Sequence, residues 1–311
     1  MIKHIVKLAA IAALSGFAAF PAAAQAVKVA VALPGVITDK AFNQNVHDGL
    51  VKARETLGAE VAFTENVSQA EQVEVMSDYA RRGYQIVVGA GGEYTDAAKR
   101  VATRFPKVRV VVLNGAPTQG VATVNFKNEE FGYVLGLVAG RVTKTGTAAA
   151  ISAQQFAAFT TAVDGFKAGL KAAKPDGDVL VAYTNDWADV AKAKEATLNL
   201  ISKGADVFMP YLDAGWVGVV QAAQERNAHT VGILHESDNN LTTARLDFAR
   251  ALVDAIGLFQ KGQLEAKDYR IGLTSTDQLG PFNSAVPEAV RQEVQKAIED
   301  IKSGKLNPAK G

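Results

Sequence analysis

The strand-like runs of this chain are apolar on both faces, and that feature restricts its folds more than any other. Residues 27–33 read VKVAVAL, residues 86–88 IVV and residues 108–113 VRVVVL. A strand with one wet face alternates apolar and polar residues. Runs without alternation belong to a parallel sheet covered by helices on both sides. Between the runs lie segments of helical period. Residues 41–57 put Phe42, Val46, Leu50, Ala53 and Leu57 on one stripe, with Thr38 or Asp39 available as a cap. A strand over 59–64, helices over 69–82 and 94–105, and a short strand over 121–125 complete the series.

The pattern then restarts. Strands are expected over 147–152, 179–183, 205–209 and 230–234, with helices over 159–174, 188–203 and 217–226. A helix over 245–261, a last strand over 269–274 and a helix over 287–301 follow, Pro287 standing where proline suits a helix start. Two βα series, each long enough for its own sheet, imply an α/β protein with two doubly wound parallel-sheet lobes. The halves echo each other: Gly83-Tyr-Gln-Ile-Val-Val leads to Gly91-Gly92 and a helix, and Gly204-Ala-Asp-Val-Phe-Met leads to Ala214-Gly215 and a helix. The expected lobes are 27–125 plus 241–275 and 126–240 plus 276–311. No low-complexity linker separates them, which suits a hinge.

The first 24 residues read as a secretory signal peptide. Lys3, His4 and Lys7 form a positive start, residues 8–20 an apolar run, and Ala22-Ala23-Ala24 the small residues before cleavage. The apolar run is shorter than the roughly 20 residues a membrane-spanning helix needs. There is no cysteine, hence no lipid attachment through one and no disulfide. A soluble exported protein of this kind implies the periplasm of a Gram-negative bacterium. Without Lys3 and Lys7 the 33 basic residues become 31 against 32 acids. No basic stripe interrupts that balance, so nucleic acid is not an expected partner.

Ligands of open parallel sheets bind at the carboxyl ends of the strands. The loops there are rich in aromatic and amide residues, and the candidate ligand-binding residues are Phe42, Asn43, Tyr94, Asn114, Gln155, Phe156, Trp187, Asp213, Trp216, His235 and Glu236. Aromatics on facing lobes can sandwich a flat ring, and amides and acids can read its edge. Each has a plainer reading. Phe42 equally suits the core, Trp216 can cover a sheet end, Gly91-Gly92 suits a tight turn, and a lone His235 is more often structural. Asp206 reads as a solvated or turn acid, and Lys192, Lys194, Lys99 and Arg100 as solvated helix faces. The sequence Gly89 to Gly92 lacks the Lys-Ser/Thr ending of a phosphate-binding loop. No metal site or cofactor is expected.

The order and spacing of several segments resemble the BMP (basic membrane protein) family of substrate-binding proteins, which includes purine nucleoside receptors of ABC transporters. They are Asp39-Lys-Ala-Phe-Asn-Gln44, Gly89-Ala-Gly-Gly-Glu-Tyr-Thr-Asp96, Val121-Ala-Thr-Val-Asn-Phe126, Gly165-Phe-Lys-Ala-Gly169, and Asp189-Val-Ala-Lys-Ala-Lys-Glu195 with Gly204-Ala-Asp-Val207. The resemblance implies a type I periplasmic-binding-protein fold with three crossovers, an ABC permease partner and a purine-like ligand between lobes. It also implies that Phe42 and Trp187 stack on the base. Family members that bind nucleosides carry an acid where Asn114 stands, and an Asp-x-Asp-like stretch that holds ribose where this chain has Leu234-His-Glu-Ser-Asp238. Trp216 is also bulkier than the family's turn and would fill sugar space. These departures favour a free nucleobase or oxidised purine, with a purine nucleoside and then a sugar as alternatives.

An exported hydrolase is the competing class. Of four histidines one lies in the signal peptide, and no Gly-x-Ser-x-Gly or His-x-x-x-His appears. A binding protein, not an enzyme, and a monomer is therefore expected. A ligand sensor for a membrane receptor would share the same fold.

Overall fold

The computed structural model describes residues 26–310. The expected signal peptide lies outside the described residues. The first sheet holds β1 (Lys28–Ala32), β2 (Glu60–Thr64), β3 (Ile86–Ala90), β4 (Arg109–Leu113) and β5 (Ala122–Phe126). The second holds β6 (Thr147–Ser152), β7 (Asp178–Tyr183), β8 (Val207–Tyr211), β9 (His229–Ile233) and β10 (Asn240–Ala244). A late strand, β11 (Asp268–Ile271), returns to the first sheet. The orders are β11-β5-β4-β3-β1-β2 and β10-β9-β8-β6-β7. All pairings within the two sheets are parallel.

The missing alternation in the strands has a direct cause. Val29 and Val31 enter the core under α1 (Phe42–Leu57) and α8 (Phe248–Gln260), while Ala30 and Ala32 enter a second core under α2 (Gln72–Arg81) and α3 (Thr95–Arg104). Both faces are dry, so both sets of side chains are apolar. The second sheet repeats the arrangement. Ala148 and Ala150 face the side of α4 (Asn128–Val142) and α5 (Ala157–Ala173), and Ala149 and Ile151 the side of α6 (Val190–Ser202) and α7 (Trp216–Glu225). A terminal helix, α9 (Glu288–Lys302), packs on α4.

Helix α4 and strand β10 were not expected from the sequence. Helix α4 is buried nearly all round and so shows no one-sided stripe. Its Gly132 and Gly136 lie against the carbonyls of Ala162 and Phe166 in α5, where any Cβ would collide. Strand β10 reads NLTTA, too polar for a core strand by composition. Its polar groups are satisfied internally: Thr230 Oγ1 donates to Asn240 Oδ1 at 2.6 Å, and Thr242 Oγ1 to the Gly280 carbonyl at 2.9 Å. Residues 241–244 therefore pair inside the second sheet, where the sequence reading had already returned the chain to the first lobe.

The chain passes between the sheets three times: from β5 to α4, from β10 to α8, and after β11. The last two passages are tied together. Ala244 bridges Leu279, and Arg245 N–H donates to the Gln278 carbonyl at 2.8 Å. Asp206 is the turn acid its position suggested, accepting from the Lys144 and Thr145 backbone N–H groups.

Candidate ligand-binding site

The carboxyl ends of both sheets converge on one cavity. Pro34 follows β1, Gly91 to Glu93 follow β3, and Asn114 follows β4; from the second sheet come Phe156 after β6, Trp187 after β7, Tyr211 to Asp213 at β8, and Ile233-Leu234 at β9. Phe42 and Phe248, at the N-termini of α1 and α8, complete the lining.

The walls are aromatic from both sides. Phe42 meets Phe248 edge-to-face at 5.0 Å, and Phe248 is buttressed by Phe126 at 4.8 Å. Across the cavity Phe156 meets Trp187 at 5.6 Å and Tyr211 at 5.5 Å, both near perpendicular. Such T-shaped contacts fix each ring by its neighbour and leave apolar faces for a flat ligand.

Between Phe42 and the second sheet runs a polar relay. The Asp39 carboxylate accepts the Ala41, Asn43 and Gln44 backbone N–H groups, so it caps α1 as the sequence allowed. Asn43 is fully buried. Its Nδ2 donates to Asp39 at 2.8 Å and to Asp213 across the cleft at 2.9 Å, and its Oδ1 accepts from Gly35 N–H at 3.2 Å. Every polar group of Asn43 is thus occupied. It holds Asp213 and does not itself face the cavity.

A second bridge joins the lobes behind Asn114. Asn128 Nδ2 donates to the Phe126 carbonyl at 3.1 Å, which leaves its Oδ1 to accept from the Tyr211 hydroxyl at 3.5 Å. The Tyr211 oxygen in turn accepts from Asn114 Nδ2 at 3.3 Å. Asn114 Oδ1 is left buried and without a partner, a lone acceptor in the cavity wall. Burial pushes the Tyr211 hydroxyl up to about 12. Asn114 and Leu234 both hold left-handed backbone, with φ of 61° and 66°, and Leu234 is a strained choice for it.

Two acids line the cavity. Burial raises Glu93 to about 7. Burial, with the like charges of Asp39 and Glu93, raises Asp213 to about 7 against the opposing Asn43 hydrogen bond. The lining holds no Lys, Arg, His, Ser, Thr or Cys, and no group of three acids or histidines converges as a metal site among the described residues. The arrangement can bind and orient a ligand. It pairs no nucleophile with a base.

Of the residues singled out from the sequence, Phe42, Asn114, Phe156, Trp187 and Asp213 line the cavity, and Asn43 stands one bond behind it. The others lie elsewhere. Tyr94 is fully buried in the core on the opposite face of the first sheet, its ring against Gly89. Gln155 is exposed. Trp216 stacks on His235 at 4.5 Å and 13°, and neither enters the lining, so Trp216 takes no room from a sugar. His235 is fully buried, bonded through Nδ1 to the Ile233 carbonyl at 2.9 Å, and burial pushes it down to about 4. Glu236 is exposed and paired with Arg245. Glu93, Tyr211 and Phe248 were not among the candidates. Glu93 and Tyr211 sat in loops already marked as strand ends. Phe248 carries no local signal, because only the return of the chain to the first sheet brings α8 to the site.

The model of PnrA-like ABC transporter substrate-binding proteins (Bmp) matches residues 26–308. The chain belongs to this family. It is 28% identical to the transcriptional activator protein Med of Bacillus subtilis, over 94% of each chain. It is 26% identical to a purine-binding protein of Brucella abortus, covering 83% of this chain and 75% of that one. A solved ABC solute-binding protein of Aeropyrum pernix superposes with a TM-score of 0.79 at 19% identity, covering 90% and 92% of the two chains. The likeness is one of fold: two parallel sheets flanked by helices.

Proposed function

We propose that this chain is the exported, periplasmic receptor of an ABC importer, and that it closes on a planar, purine-like heterocycle without turning it over. A free nucleobase or oxidised purine is favoured over a nucleoside. The observation that carries this reading is the cavity between the sheets, walled by Phe42 and Phe248 on one side and by Phe156, Trp187 and Tyr211 on the other. A flat aromatic ring buries both faces there. The purine-binding relative supports the same ligand class.

The preference for a free base now rests on one strand end. After β9 the wall offers Leu234, while Glu236 and Asp238 are exposed and stand outside the lining, leaving no acid at that end for sugar hydroxyls. A nucleoside is the second reading, supported by a Lactococcus lactis relative named as a nucleoside-binding protein, 27% identical over 68% of this chain.

The working cycle is hinge closure at the three passages. The Asn43–Asp213 and Asn114–Tyr211 bonds bridge the lobes and define the closed arrangement, to which a ligand adds its own contacts. The closed monomer would then dock on its permease.

A thermal-shift panel of purine bases, their nucleosides, sugars and amino acids tests this. A ligand at about 100 times its Kd should add roughly 2.7 kcal/mol to the folded state. Stabilisation by bases and not nucleosides is the expected result. Stabilisation by a sugar or amino acid alone would overturn the ligand assignment.

A further inference from the structure

We propose that Glu93 sets the chemical class of the ligand: a neutral or cationic heterocycle with adjacent N–H donors, as on the ring N–H and exocyclic amino edge of guanine, and not an anionic oxidised purine. This rests on the purine reading above and narrows it.

The cavity wall is a set of acceptors. Glu93 receives no hydrogen bond from another side chain and forms no ion pair among the described residues, although it lines the cavity. Its placement is built in. Gly91, at φ 115°, lies against the Glu93 carboxylate, and any Cβ at Gly91 would collide with it. That φ favours glycine, and the missing Cβ leaves the space the carboxylate occupies. Asn114, 9% exposed, presents its unpartnered Oδ1. Asp213 uses one oxygen for Asn43, and among the described residues no donor meets the other.

The charges agree. Glu93 is faced by Asp213 from the end of β8, with Asp39 behind it through Asn43. No basic side chain lines the cavity. An anion brought here meets uncompensated like charge in a poorly hydrated space. A pair of neighbouring N–H groups instead meets the two oxygens of a carboxylate, the bidentate geometry that makes charge-assisted hydrogen bonds strong. A buried acceptor left unmatched opposes binding, so the wall discriminates by what a wrong ligand fails to supply.

Equilibrium dialysis of micromolar guanine, hypoxanthine, xanthine, adenine and urate against the mature protein at pH 8 tests the proposal. The wild type should hold guanine about 10- to 100-fold tighter than xanthine, which replaces the amino donor with an acceptor, and tighter still than urate. Glu93→Gln, which offers one donor and one acceptor, should lose most of that ratio and gain affinity for xanthine. Glu93→Asp keeps the charge and should keep the order of preference at reduced affinity, so a misfolded Gln variant does not decide the matter. Equal or tighter binding of xanthine or urate by the wild type overturns the proposal and leaves the purine reading standing. An unchanged ratio in a folded Glu93→Gln variant does the same. Binding of none of the five overturns the free-base reading and this proposal with it.

Discussion

Two loops at the same end of the first sheet handle a carboxylate in opposite ways. After β1, Asp39 is surrounded by donors: three backbone N–H groups and the Asn43 amide. After β3, Glu93 has almost none, and burial lifts it to about 7. The first acid is structural because the helix start it caps satisfies it. The second is available because the fold leaves it unanswered. A buried acid reports a binding role when its partners are missing, and a stabilising role when they are present.

Removing each acid should separate the two roles. Asp39→Ala should bring the largest loss of stability, about 2–4 kcal/mol in denaturant unfolding, because it strips the α1 cap and strands the Asn43 amide. Trp187→Ala should leave stability nearly intact but weaken ligand binding by about 1–3 kcal/mol, read by calorimetric titration. Glu93→Gln should raise the stability of the ligand-free protein at pH 8, on the order of 1 kcal/mol, and leave it unchanged below pH 4.5. The sign follows from protons. Between about 4.5 and 7 the folded state holds a proton on Glu93 that the unfolded chain has released, so stability falls as pH rises through that window, and the full loss persists above it. His235 acts oppositely, its neutral form losing stability as pH drops from 6.5 towards about 4. Glu236→Ala should change stability by no more than about 0.5 kcal/mol, since its ion pair with Arg245 is exposed. A large effect at Glu236 with none at Asp39 would break the comparison.

The fold was legible because its strands carry their burial in their composition. Runs such as residues 86–88 and 108–113 admit no wet face, and glycine turns at Gly91-Gly92 and Gly215 mark where two of the strands give way to helices. What escaped was structure whose signal lies in partners. Helix α4 reads as interrupted by Gly132, Gly136 and Gly140 until α5 is placed beside it, and β10 reads as a polar loop until its threonines find acceptors. The site divided the same way. Strand-end aromatics were found by position, as with Phe156 and Trp187. Tyr94 was misplaced because one residue along the turn after β3 changes which side of the sheet a side chain joins: Glu93 faces the cavity and Tyr94 the core. Trp216 and His235 stack on each other, a pairing no spacing in the sequence announces.

Mechanically, the glycine seam between α4 and α5 makes the two helices one beam. Backbone lies on backbone there, with no side chains between to slide or rotate. The beam begins directly after the first passage, and Phe156, part of the aromatic wall, immediately precedes α5. A rotation of α4 at residue 127 is therefore expected to carry that wall residue with it.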